Sequence, residues 1–153
     1  MVRLCISSES RQKYLYRSDV LTRLAERICA NEADCSLDYE VSVLFCDDDR
    51  IRSLNKDYRN KDAATDVLSF GQDVGPIAGT RLLGDIVVSL ETVAGRNSGD
   101  RARMRDDVRL LICHGMLHLL GYDHATAAER RDMNERQARY LGLPKDAAWR
   151  TDS

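Results

Sequence analysis

The stretch Leu110–Leu120 reads Leu-Leu-Ile-Cys-His-Gly-Met-Leu-His-Leu-Leu, closing a helical run that starts near residue 101 and stops at Gly121. A helix that is apolar on nearly every face has no side for water. It has to lie in the middle of the fold, with other elements wrapped round it. Only His114 and His118 interrupt that surface. A buried imidazole without a partner is costly, so a chain that puts two here must give them something to bind.

A third histidine, His124, completes the set within 11 residues, and the chain has only these three. Residues four apart on a helix share a face, separated by about 6 Å of rise. Two imidazoles so placed can converge on one ion at about 2.0–2.1 Å. Gly121 takes positive φ at no steric cost, which turns the chain so that His124 returns to the same point. Three protein ligands leave a fourth tetrahedral position open, the arrangement of catalytic rather than structural zinc. The spacing is that of a metzincin-like site. In zinc peptidases the residue after the first histidine is a glutamate base; here it is Gly115, so peptide hydrolysis loses its base. A metal with three neutral ligands keeps its full charge, which suits an anionic substrate such as a phosphodiester. Cys113 points about 100° away from His114 round the helix and reads as core.

The remaining pattern supplies what wraps the helix. Residues 2–7, 39–46, 65–70 and 83–90 read as strands. Ser18 is placed to cap a helix to about Asn31, and Asp47, Asp48 and Asp49 open a short one. Residues 59–64 form a polar connection. Gly71, Gly75, Pro76 and Gly79 mark a mobile loop up to Arg81. Thr126 and Glu129 form a capping box for a last helix, whose face carries Met133, Gln137, Tyr140 and Leu141 and which Gly142 and Pro144 stop. This order predicts an α+β fold, one domain over 1–153, with a four-stranded mixed sheet packed with helices round a central metal-binding helix. The relative direction of the strands at 65–70 and 83–90 is left open by the pattern.

With 153 residues, 31% charged and a net charge of −2, the chain is not a generally basic nucleic-acid binder. It has no apolar run of the roughly 20 residues that span a bilayer and no signal-peptide core. Its five cysteines lack C-x-x-C spacing. Four of them, Cys5, Cys29, Cys46 and Cys113, read as buried thiols of a reducing, cytoplasmic compartment.

Residues 114–124, His-Gly-Met-Leu-His-Leu-Leu-Gly-Tyr-Asp-His, resemble the signature of the YbeY family of bacterial endoribonucleases. A second block, Tyr58-Arg-Asn-Lys-Asp-Ala-Ala-Thr-Asp-Val-Leu-Ser-Phe70, and a third, Leu83-Gly-Asp-Ile-Val-Val-Ser89, resemble that family's other two, in the same order. Ala64 and Gly71 stand where the family carries, or often carries, proline. The resemblance implies one zinc held by His114, His118 and His124, with Arg59 as the functional arginine. It also implies cleavage of single-stranded RNA in small-subunit rRNA 3′-end maturation and ribosome quality control. The partners implied are rRNA, the small ribosomal subunit and its assembly factors, and no DNA. Water or the RNA's own 2′-hydroxyl is the nucleophile. The alternatives are a non-enzymatic assembly factor with a structural zinc, or a metzincin-like peptidase.

A guanidinium such as Arg59 can grip a phosphate with two hydrogen bonds and offset charge in the transition state. Lys61 is a further phosphate contact or a solvated side chain. Asp66 and Asp85 sit on apolar strands and need partners: a helix end, an arginine, or a ligating imidazole held from behind. Asp123 can accept a hydrogen bond within its own turn. Arg96, Arg101, Arg103, Arg105 and Arg109 read as a solvated helix face diluted by acids, with an RNA-backbone contact as the alternative.

Overall fold

The computed structural model describes residues 1–13 and 15–144; residues 145–153, part of the single-domain reading, lie outside them. The chain runs β1 (Val2–Ser8), α1 (Ser18–Glu32), β2 (Asp38–Cys46), α2 (Asp48–Arg59), β3 (Val67–Gly71), β4 (Thr80–Ser89), α3 (Leu90–Arg96), α4 (Arg101–Leu119) and α5 (Ala127–Leu141). The four strands form one mixed sheet in the order β1-β2-β4-β3. β1, β2 and β4 are parallel. β3 runs antiparallel to β4 along its whole length, from Val67 against Val88 to Gly71 against Gly84. The fold is α+β, as the element order predicts.

Parallel neighbours need a crossover, and α1 supplies the one between β1 and β2. Leu21, Leu24, Ala25 and Ile28 recur at helical spacing and are all buried. Side chains alternate across a strand, so Val41, Val43 and Phe45 of β2 and Ile86 and Val88 of β4 face one way. They meet α1, α4 and α5 in the main core. On the other face α2 covers only part of the sheet, packing Ile51 with Cys46, Leu68 and Val87 in a smaller cluster. The rest of that face is an open groove of about 880 Å³ lined by Arg3, Cys5, Ser42, Arg50, Tyr58 and Asp85, among others.

α4 is the element the fold is built round: every residue from Leu110 to Leu117 is buried. Gly115 allows this. A Cβ there would lie 2.9 Å from two carbons of Ile86 on β4, so glycine lets the helix sit directly on the strand.

Several boundaries differ from the sequence reading. The cap of α1 is Arg17, not Ser18, and no side chain closes it; Arg17 instead pairs with Asp19. Gly71, Thr80 and Arg81 belong to strands, and Ile77 bridges Thr80, so the glycine-rich loop is shorter than expected. α3 is a helix that the sequence pattern does not mark: Ser89 ends β4 and caps α3 by accepting from the Thr92 N–H. Arg96 is exposed yet ion-paired. It is held between Asp66 and Asp107, whose side chains are 3% and 2% exposed. Cys29, Cys46 and Cys113 are buried, and burial pushes their thiols up, to about 11, 12 and 12. Cys5 is only half-buried and lines the open groove, and Cys35 is exposed.

Candidate metal centre

The C-terminal turn of α4 sets the geometry. The Gly121 N–H donates to the His118 carbonyl and the Tyr122 N–H to the Leu117 carbonyl, the paired bonds of a Schellman motif. Gly121 has φ +103°, a conformation L side chains rarely adopt. The chain therefore reverses at once, and His124 comes back beside the helix end. Its backbone N–H donates to Asp123 Oδ1 at 2.7 Å, so Asp123 serves its own turn.

One ligand atom from each of His114, His118 and His124 lies within 4.8 Å of the others, a grouping that could hold a metal ion. His118 Nε2 is 3.1 Å from His114 Nε2. Two nitrogens bound to one tetrahedral zinc at 2.0–2.1 Å stand roughly 3.3 Å apart, so the pair is already close to ligating distance. His114 is fully buried, and its Nδ1 lies 2.7 Å from Oε1 of the equally buried Gln137 on α5. An amide oxygen accepts, so Nδ1 carries the proton and Nε2 presents its lone pair to the other histidines. Burial and the neighbouring His118 and His124 push His114 down to about 3, against the Gln137 bond. Burial also lowers His118, with His124 and Arg59 adding to the effect. Neutral imidazoles are the form that binds metal. The donor set, the spacing and the fixed tautomer all fit a metal ion.

Beside His118 opens a cavity of about 170 Å³ lined by Arg59, Val67, Ser69, Gly71 and Leu119, among others. Arg59 is the last residue of α2, which Asn60 ends in the left-handed conformation. The antiparallel course of β3 brings that strand between α2 and α4 as the cavity wall. Arg59 is exposed, and its charge acts on His118. Lys61 is exposed in the connection that follows.

Of the two carboxylates expected on strands, Asp66 falls just before β3 and Asp85 lies in β4. Asp66 Oδ2 accepts from Arg96 Nη1 at 2.9 Å, so its partner is that arginine and not a ligating imidazole. Asp85 neighbours Ile86, which faces Gly115 on α4, so Asp85 points to the opposite side of the sheet. It lines the open groove there and cannot support a histidine from behind.

The sequence places Gln137 on the α5 face without assigning it a partner. A signal was present: a polar residue on a face with Met133 and Tyr140 would be buried and would need a partner. Glu32 gave no such signal. It ends α1, yet its carboxylate accepts from Tyr122 of the histidine turn at 2.5 Å and from Arg136 of α5 at 2.8 Å.

The profile of the family described as Endoribonuclease YbeY matches residues 6–143. A protein of that name from Anaeromyxobacter dehalogenans is 50% identical over 101 residues, 66% of this chain and 52% of that protein. The chain thus spans about half the length of the Anaeromyxobacter relatives it matches. A relative of the same name from Finegoldia magna is 34% identical over 149 residues, covering 94% of this chain and 97% of that one. A solution structure from Thermotoga maritima superposes with a TM-score of 0.58 at 27% identity, covering 92% of this chain and 87% of the other. On this match, which takes in the histidine turn, the Arg59 connection and the whole sheet except the start of β1, the chain belongs to the Endoribonuclease YbeY family.

Proposed function

We propose that this chain is a zinc-dependent endoribonuclease that cleaves single-stranded RNA, working as one cytoplasmic domain on rRNA of the small ribosomal subunit beside its assembly factors. One observation carries the reading: three converging imidazoles stand beside a cavity that Arg59 borders. A purely structural zinc is enclosed by four protein ligands; here the side next to His118 is open.

When bound, the ion would supply a Lewis acid for a phosphoryl oxygen. The chain's own residues do the rest. Arg59 receives the phosphodiester and offsets charge developing on it in the transition state. Gln137 holds His114 in the ligating tautomer. Val67, Ser69 and Gly71 of β3 wall the cleft in which one strand of RNA would lie. No helix among the described residues is long and apolar enough to cross a membrane.

The peptidase alternative has nothing to stand on at position 115, where a Cβ already meets Ile86. Metal analysis of untagged protein, paired with His118→Ala, tests the proposal. The wild type should carry about one zinc per chain and cut single-stranded RNA, and the variant should do neither. Zinc-loaded protein that binds small subunits but cuts no RNA would favour the assembly-factor reading instead.

A further inference from the structure

A buried carboxylate that the mechanism leaves unused ties the metal centre together from outside. Glu32 is the last residue of α1, and its side chain is only 4% exposed. Four hydrogen bonds end on it. Tyr122 Oη donates to Oε2 at 2.5 Å, and Tyr140 Oη donates to Oε1. Arg136 Nη1 reaches both oxygens, at 2.8 and 2.9 Å. The Arg136 guanidinium also lies over the Tyr122 ring, 4.5 Å from its centre.

The donors come from two elements, and each carries part of the site. Tyr122 lies in the turn between His118 and His124, and its backbone N–H donates to the Leu117 carbonyl of α4. Arg136 and Tyr140 flank Gln137 on α5, the residue that orients His114. One carboxylate therefore fixes the turn that delivers His124 and the helix that delivers Gln137. A metal centre needs its ligands held within about half an ångström, and supports behind the ligands supply that rigidity.

We infer that Glu32 is a positioning residue of the metal centre, clamping the Tyr122 turn to α5 so that the three imidazoles are held converged before the ion arrives. This rests on reading the histidines as a metal site. A carboxylate that merely glued α1 to α5 would affect stability alone. The structure provides a control for that: Arg27 Nη2 donates to the Tyr140 carbonyl at 3.0 Å, another tie between α1 and α5 that does not touch the turn.

The test is zinc affinity of the full chain, stripped of metal and titrated against a chromogenic chelator, with the melting temperature of each metal-free variant measured alongside. Glu32→Gln keeps the shape and one acceptor oxygen but loses the charge. Tyr122→Phe removes one hydroxyl and folds with least disturbance. Each should weaken zinc binding about 10–100-fold. The double variant should lose less than the product of the two, because both act through one bond. Arg27→Ala should lower the melting temperature yet keep wild-type affinity. Wild-type affinity in Glu32→Gln and Tyr122→Phe overturns the inference, as does an equal loss of affinity in Arg27→Ala. A wild-type chain that binds no zinc overturns the metal reading itself, and this inference with it.

Discussion

Gln137 Oε1 lies 2.7 Å from His114 Nδ1, and neither side chain reaches solvent. The bond joins α5 to α4 inside the core. Gln137→Leu would fill the space but release the imidazole to either tautomer. Zinc affinity should fall about 10–100-fold, while Gln137→Glu, which restores an acceptor, should recover much of it. Chelator competition reads both. Unchanged affinity in Gln137→Leu would mean that packing alone orients His114.

Gly115 concerns stability. A Cβ there would lie 2.9 Å from Ile86, and the branched Ile86 side chain cannot swing clear easily. Gly115→Ala should cost about 1–3 kcal/mol through overpacking. Gly115→Ala with Ile86→Val should return part of that. Urea unfolding of the two proteins checks it.

Gly121 is a separate matter, because a Cβ there meets nothing within 4 Å, yet φ is +103°. The cost of a side chain is purely conformational. Gly121→Val should weaken zinc binding although no ligand is lost, since a β-branched residue resists positive φ and His124 would no longer return. Zinc affinity equal to wild type would show that the turn tolerates another path.

Acid should destabilise the metal-free protein. His114 is pushed down to about 3 from an ordinary 6.5, chiefly by burial. Below 6.5 the unfolded chain takes up a proton that the folded chain refuses. Stability is therefore greatest above pH 6.5 and falls as pH drops toward 3. The lowered Glu32 carboxylate acts in the same direction: burial opposes its charge, but Tyr122, Tyr140 and Arg136 outweigh it. The urea midpoint should fall steadily from pH 7 to pH 5, and less steeply in His114→Asn. A flat midpoint over that range would contradict the assignment.

The sequence made the central helix legible because the stretch 110–120, apolar but for His114 and His118, leaves no other placement, and α4 runs Arg101–Leu119. The return of His124 was legible from Gly121, a local rule. The capping box at Thr126 was too, and its hydroxyl accepts from the Glu129 N–H at 3.1 Å. What stayed hidden was relational. Asp66 and Asp85 look alike in sequence, both acidic on apolar strands. Asp66 falls just before β3 and meets Arg96, while the pleat of β4 turns Asp85 to the far face. α3 has seven residues, too few for a helical period to stand out between a strand and a longer helix. Glu32 and Tyr122 are 90 residues apart, and no local pattern joins them.

Arg59 borders the cavity from the end of α2. Its loss should hurt cleavage far more than folding or zinc binding. Arg59→Ala should slow cleavage about 10²–10³-fold, or about 3–4 kcal/mol. Arg59→Lys should recover only part, keeping the charge but not the fork. Wild-type rates in zinc-loaded Arg59→Ala would remove Arg59 from the mechanism.

The most direct test is the cleavage rate of an end-labelled single-stranded RNA by chelator-stripped protein, before and after one equivalent of zinc is returned. The stripped protein should be inactive, and one zinc per chain should restore cleavage in the wild type but not in His118→Ala. Full cleavage by the stripped protein, or none by protein shown to hold its zinc, would contradict a zinc-dependent ribonuclease built on these three histidines.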